Sequence, residues 1–294
     1  SSMQSKVYDF AVIGGDLRQV YLKNALLSRN YTVCEYALCR ESDGDTIDRA
    51  ESLVKAAASA RTILAPIPMA RVDGHLNHQT SKTDLTADLL LDSLTEGQYL
   101  FAGCIPKPFL KAAWQKGVCV YDYMEDEELA LYNTIATAEG AVAEAIIKSK
   151  QNLHKSKCLV LGYGRCGKTL VSLLSGFACQ ITVCARSSRA RAEAELFAHR
   201  AVDMAEMQKT LSEYDFIFNT IPSRILLEPQ LQRLGSNTVI LDIASSPGGV
   251  DYQASEKLGI PAFLCPGLPG KYAPKSSAEA MAETVIKKLL QDQS

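Results

Sequence analysis

Gly162-Tyr163-Gly164-Arg165-Cys166-Gly167 has the spacing of a phosphate-binding turn, with the apolar run Lys157–Leu161 before it and a helical pattern through Leu174 after it. In that context each glycine has a task. Gly162 permits the tight turn, Gly164 lets the backbone approach a pyrophosphate, and Gly167 lets the helix pack closely on the strand. The helix N-terminus adds N–H groups and a partial positive charge for the phosphate oxygens. The predicted chemistry is dinucleotide binding, and the next strand says which dinucleotide. An NAD site carries Asp or Glu about 20 residues after the first glycine, bonded to the ribose 2′-hydroxyl. Here no Asp or Glu stands between Glu144 and Glu193, and Arg186-Ser187-Ser188 ends the strand. A guanidinium fork and two hydroxyls suit a 2′-phosphate. The expected cofactor is NADP, although a solvated basic helix start would use the same residues.

Three further strand ends belong to the same reading. Asn219-Thr220-Ile221-Pro222, Asp242 and Gly267-Leu268-Pro269 each follow an apolar run, at the carboxyl edge where open α/β sheets bind ligands. All are expected to line the cofactor. Pro266–Gly270 reads equally well as a plain turn.

These residues need a frame to hold them. Lys6–Ile13 ends at Gly14-Gly15-Asp16 and is followed by a helical pattern, so the chain opens twice with a strand, a glycine turn and a helix. Strands are expected at Thr32–Ala37, Thr62–Pro66, up to Gly103 and at Val118–Tyr121. In the second half they are expected at Lys157–Leu161, Ile181–Ala185, near Val202, and at Asp215–Asn219, Val239–Ile243 and Ala262–Cys265. Pro68–Leu85 reads as a loop over the first sheet's carboxyl edge. The fold class is α/β, with two doubly wound parallel-sheet domains joined by a long helix. Residues 1–127 form a flavodoxin-like substrate domain, 128–150 the connecting helix and 151–274 a Rossmann NADP-binding domain. The helix at 275–294 is expected to pack back on the first domain.

A chain of 294 residues accommodates about two domains. Its 31 Lys and Arg against 33 Asp and Glu give a net charge of -2, which offers nothing to nucleic acid or an anionic membrane surface. Thr169–Ala185 lacks charge but is shorter than the ~20 apolar residues of a membrane span. Ser1 and Ser2 precede Met3, the expected start, and no secretory signal follows it. Nine Cys without a Cys-x-x-Cys pair suit a reducing cytoplasm. His75 and His78 lack a nearby third ligand, so no metal is expected.

Taken in order along nearly the whole chain, the motifs resemble the A subunits of dipicolinate synthase, a family of spore-forming bacteria. The resemblance rests on Ala11-Val12-Ile13-Gly14-Gly15-Asp16 with Arg18-Gln19, Tyr132-Asn133-Thr134-Ile135 with Thr137 and Glu139-Gly140, and Ala185–Ser188. It continues through Asn219–Ser223, Leu241-Asp242, Pro247-Gly248-Gly249 with Asp251, and Pro266–Gly270 with Ala273-Pro274-Lys275. Ser246 departs from the Arg of Bacillus members, so no anion contact is carried to that position.

What the resemblance implies is NADP-dependent oxidation of dihydrodipicolinate to pyridine-2,6-dicarboxylate during sporulation. It would occur in the mother-cell cytoplasm, in a homo-oligomeric assembly whose partner is a flavoprotein B subunit. Such a reaction needs cations for two carboxylates and a group to handle a proton. Arg18, Arg224 and Lys275, with Asp16, are the expected substrate-binding residues; Glu139, Tyr132 and Asn133 are the catalytic candidates. Gly140, beside Glu139, signals either close backbone approach or a kink. Two other readings stay open. One is a different NADP-dependent dehydrogenase of a hydroxy or amino acid, disfavoured because none of His75, His78, His154 and His199 follows a strand end in the nucleotide domain. The other is a non-catalytic NADP-sensing protein.

Overall fold

The computed structural model describes residues 7–40 and 48–293. Ser1–Met3, Lys6 at the head of the first expected strand, and Ser294 lie outside the described residues. The chain divides into two units, residues 1–132 with 273–294, and residues 133–272. The first division falls at the Tyr132–Asn133 step, inside the stretch 128–150 expected as the connecting helix.

The first unit holds β1 (Tyr8–Ile13), α1 (Leu17–Ser28), β2 (Val33–Tyr36), α2 (Leu53–Ala58), β3 (Ala60–Leu64), α3 (Ala87–Ser93), β4 (Tyr99–Ala102), α4 (Lys107–Gln115) and β5 (Cys119–Asp122), ending in the first turns of α5 (Glu127–Lys148). Its strands are all parallel, in the order β2-β1-β3-β4-β5. That is the flavodoxin-like order, with its reversal between β1 and β3. Strand alternation feeds two cores. Ala11, Ile13, Ile63, Leu100 and Ala102 face one way, with Leu53 and Phe109. Phe10, Val12, Leu64 and Phe101 face the other, with Leu22 and Leu26 of α1 and with Met281 and Val285 of the C-terminal helix. Pro68–Leu85 is a loop, but Met69, Leu76 and Leu85 anchor it in the core.

The second unit continues α5 and adds β6 (Lys157–Leu161), α6 (Arg165–Ser175), β7 (Gln180–Cys184), α7 (Ser188–Ala194), β8 (Arg200–Val202), α8 (Met204–Thr210), β9 (Phe216–Asn219), α9 (Glu228–Leu231), β10 (Val239–Asp242), α10 (Tyr252–Leu258), β11 (Ala262–Leu264) and α11 (Leu268–Tyr272). The C-terminal helix of the first unit is α12 (Pro274–Asp292), where 275–294 was expected. The second sheet is also parallel, in the order β11-β10-β9-β6-β7-β8. This is the Rossmann strand order, reversing between β6 and β9. Cys158, Val160, Phe216, Phe218 and Leu241 pack on one side with Leu170 and Leu174. Leu159, Leu161, Ile217 and Ile240 pack on the other with Met207 and Leu231. Both reversal points fall beside a glycine turn.

Candidate dinucleotide site

The three glycines after β6 differ in what surrounds them. Gly162 holds φ +96, and a Cβ there would lie 2.4 Å from Thr220 Oγ1. A Cβ on Gly167 would lie 2.4 Å from the Gly162 carbonyl oxygen, so α6 packs directly on the turn. Gly164 is different: a Cβ on it meets no atom within 4 Å. It is the N-cap of α6 and brings no side-chain bond to the helix end. The first-turn amides of α6 are thus left for a partner outside the helix, beside open space. A pyrophosphate fits this cradle. Arg165 is exposed and Cys166 half-buried, with burial pushing its thiol pKa up, so the thiol stays protonated. Tyr163 turns into the core, with Lys168 Nζ 5.7 Å from its ring centroid.

At the end of β7, Arg186, Ser187 and Ser188 are all exposed. Ser187 caps α7, its Oγ accepting from the Ala190 amide at 3.1 Å. Arg191, which the sequence reading passed over, donates from Nη1 to the carbonyls of Ala185 (2.8 Å) and Arg186 (2.7 Å). Glu193, the nearest carboxylate in sequence, is paired with Lys168 at 2.9 Å.

Asn219 and Asp242 correct the expectation that they contact the cofactor. Both are 0% exposed. Asn219 Nδ2 donates to Asp242 Oδ1 and to the Ile221 carbonyl, each at 3.0 Å, and its Oδ1 accepts from the Ile221 amide at 3.1 Å. Asp242 Oδ2 accepts from the Gly249 amide (2.9 Å) and the Tyr252 hydroxyl (2.7 Å). The pair therefore holds two loops in place and offers no atom to a ligand. Thr220 is tied to the Leu161 carbonyl through both its amide and its hydroxyl, which leaves half-exposed Ile221 and exposed Pro222 as the surface of that loop.

Leu268 and Pro269 are corrected in the same way, because α11 buries them. Gly140 is the reason. A Cβ there would come within 2.9 Å of Leu268 Cβ and 3.0 Å of Tyr272 Cδ2, so the glycine serves close approach, and α5 runs through it unbroken. Gly267 stays exposed at φ +63. Glu144, one turn on, fastens the same contact, accepting from Lys271 Nζ (2.5 Å) and Tyr272 OH (2.8 Å) at Oε1. Burial raises its pKa, but these two bonds outweigh burial and hold it below the ordinary carboxylate value. Stabilisation from such a group is complete above the unfolded pKa of about 4.3 and is lost as pH falls through the folded value. Glu144→Gln should therefore lower the denaturation midpoint near neutral pH, with the gap to the parent closing below about pH 4. A gap that stays constant with pH would contradict this assignment.

In the first unit, Arg18 is 4% exposed and no longer a free cation. Its Nε and Nη2 donate to the two oxygens of Asp16 at 3.1 and 3.0 Å, and Nη2 also donates to the Ile67 carbonyl at 2.7 Å. Asp16 meanwhile caps α1 through the Arg18 amide. Both residues hold the turn and do not reach outward as expected. Buried Gln19 stitches the reversal point, Nε2 donating to the carbonyls of Ile13 and Leu64. Arg224 is exposed but lies 3.5 Å from Asp251. Lys275, in the first turn of α12, is exposed and forms no ion pair among the described residues. On α5, Tyr132 and Glu139 are exposed and Asn133 half-exposed.

Comparison with known proteins adds to this geometry. Residues 9–124 match the model of the N-terminal domain of dipicolinate synthase A subunits. Residues 129–247 match the NAD binding domain of D-isomer specific 2-hydroxyacid dehydrogenases. The dipicolinate synthase A subunit of Bacillus subtilis (strain 168) is 39% identical over 166 residues, 56% of this chain and 56% of that protein. The chain thus spans about half the length of this relative in the aligned region. The crystal structure of the A subunit from Bacillus halodurans superposes with a TM-score of 0.84 at 27% identity, covering 96% of this chain and 98% of that one. The crystal structure from Bacillus subtilis gives a TM-score of 0.80 at 29% identity, with 99% of each chain covered.

The chain is similar to the dipicolinate synthase A subunits, in its N-terminal domain and in the fold of both units. The second unit is a dinucleotide-binding domain of the dehydrogenase type. Among the described residues no helix is long and apolar enough to cross a membrane. Arg191 and Glu144 are among the polar residues of the domain that sequence reasoning missed. The Arg186…Arg191 repeat of guanidiniums was a usable signal for the first. Nothing local signals the second, whose partners lie 127 and 128 residues away.

Proposed function

We propose that this chain oxidises dihydrodipicolinate to pyridine-2,6-dicarboxylate, with NADP⁺ as the hydride acceptor. The observation that carries the reading is the union in one chain of two matched domains, the dipicolinate synthase N-terminal domain and a dehydrogenase-type dinucleotide domain. The preference for the phosphorylated cofactor is supported by exposed Arg186, Ser187 and Ser188 where an NAD site would carry a carboxylate. Bound NADP⁺ would supply the acceptor for one hydride, and aromatisation of the ring releases one proton. The chain's own residues do the rest. The Gly164 turn and the first amides of α6 hold the pyrophosphate, Arg186 with its two serines holds the 2′-phosphate, and Ile221, Pro222 and Gly267 support the remaining dinucleotide. Lys275 is the main cation for a substrate carboxylate, with Arg224 weaker because Asp251 already faces it. Glu139 accepts the ring proton, and Tyr132 and Asn133 orient the substrate by hydrogen bonds. The flavoprotein B subunit works with a homo-oligomer of this chain in the mother-cell cytoplasm.

The test is to mix dihydrodipicolinate with the protein and either NADP⁺ or NAD⁺, with and without the flavoprotein. Absorbance of the reduced nicotinamide and of the aromatic pyridine should rise together, faster with NADP⁺. No rise in any combination sinks the reading. Arg186→Ala should cost ~1.5–3 kcal/mol of NADP affinity, the scale of one charge-assisted pair, and leave NAD binding nearly unchanged. Equal dissociation constants for the two cofactors in the parent protein would refute the preference.

A further inference from the structure

Arg186, Arg189 and Arg191 place three guanidiniums within six residues of a chain whose net charge is -2. Among the described residues none of the three is paired with a carboxylate, whereas the neighbouring cations Lys168 and Arg200 are paired with Glu193 and Glu213. Arg186 and Arg189 are exposed; Arg191 is half-buried. What sets Arg191 apart is the use of its Nη1. That single nitrogen spans two consecutive carbonyls, of Ala185 at 2.8 Å and Arg186 at 2.7 Å, the last two peptide groups before the Ser187 cap.

Two physical consequences follow. Fixing two successive carbonyls fixes the peptide planes on both sides of Arg186, and with them the direction in which its side chain leaves the backbone. Covering the carbonyls also removes two negative dipole ends from the ground where a phosphate would sit. An uncovered carbonyl there would oppose the anion that Arg186, Ser187 and Ser188 attract.

We infer that Arg191 is the positioning residue for cofactor selectivity: it holds the β7–α7 turn so that Arg186 and the two serines converge on a ribose 2′-phosphate. This rests on the NADP preference proposed above. The action runs through Arg186, which gives it a signature that a second, independent phosphate contact lacks. Two groups acting as one unit lose affinity non-additively, while independent contacts add.

The experiment is a double-mutant cycle on the full chain, with dissociation constants measured for NADP, NAD and adenosine 2′,5′-bisphosphate. The variants are Arg191→Ala, Arg186→Ala, the double variant, and Arg189→Ala as a control for surface charge. Arg191→Ala should weaken NADP and the bisphosphate about tenfold and NAD less than about twofold. The double variant should bind no more weakly than Arg186→Ala, and Arg189→Ala should match the parent within about twofold. Arg191→Lys, whose ammonium can still donate to both carbonyls, should recover most of the loss. It also provides the test if the Ala variant does not fold. Two outcomes overturn the inference while the cofactor reading stands. In the first, Arg191→Ala keeps the parent's NADP-to-NAD ratio although Arg186→Ala collapses it; in the second, the two losses simply add. If Arg186→Ala also leaves the ratio unchanged, the NADP reading itself has failed, and the inference with it.

Discussion

Asp242→Ala should be the most destabilising single substitution in the second unit, by about 3–5 kcal/mol. The carboxylate, itself closed to solvent, is the shared acceptor for Asn219 Nδ2, the Gly249 amide and the hydroxyl of half-buried Tyr252. Each buried donor left without an acceptor costs about 1–3 kcal/mol, and three on one network fall short of simple addition because the loops relax together. The space is specific to the carboxylate too. A Cβ on Gly248 would lie 2.2 Å from Asp242 Oδ2, and one on Gly249 would lie 2.3 Å from Asn219 Nδ2, so the glycines are fitted around the pair. Tyr252→Phe, which removes a single donor and leaves the rest, should cost only about 1 kcal/mol. Burial, helped by the bond to Asp242, raises the Tyr252 pKa, so its hydroxyl remains a donor throughout the accessible pH range. Urea denaturation with amide exchange at Ile221 and Gly249 measures both variants. An Asp242→Ala protein within about 1 kcal/mol of the parent, with those amides still protected, would show that the loops are held by something else.

The same network explains which parts of this protein were legible from its sequence. Strands, glycine turns and the parallel order came through because hydrophobic runs and turn residues are local signals. Lys157–Leu161 was placed to the residue for that reason. The polar residues at strand ends were not so readable. Asn219 and Asp242 stand where cofactor contacts and loop supports look identical, and only their meeting across 23 residues makes them supports. Arg18 looked like a free cation until its contact with Ile67, 49 residues away, closed the turn around it. Gly140 was legible as a feature but ambiguous in meaning. Its neighbour Leu268 decides for close approach over a kink, and the same contact draws Leu268 and Pro269 away from the expected cofactor surface. Arg186, Ser187, Ser188, Glu139 and Lys275 are all at the surface, where a ligand can reach them.

Gly164→Ala and Gly167→Ala should fail in different ways, although both lie in the same turn. At Gly167 the new Cβ would sit 2.4 Å from the Gly162 carbonyl oxygen, a backbone atom that has nowhere to retreat. Thr220 Oγ1 already occupies the space on the other side of Gly162, and Thr220 is itself pinned to the Leu161 carbonyl at 2.7 Å. The helix α6 must therefore lift off β6, which costs about 1–3 kcal/mol of overpacking and carries the phosphate-facing amides out of position. Stability and binding should fall together, with dinucleotide affinity down at least about tenfold, or about 1.4 kcal/mol. At Gly164 the new methyl meets no protein atom within 4 Å, and φ of -85 is open to any L-residue. Its stability should match the parent within about 0.5 kcal/mol, as expected of a substitution that disturbs no contact. The methyl nonetheless occupies the approach that a pyrophosphate needs, so affinity should fall for NADP and NAD alike. Thermal denaturation beside calorimetric titration separates the two cases. If Gly164→Ala binds both dinucleotides as tightly as the parent, the pyrophosphate does not lie on this turn, and the cradle must be sought at another strand end of the sheet.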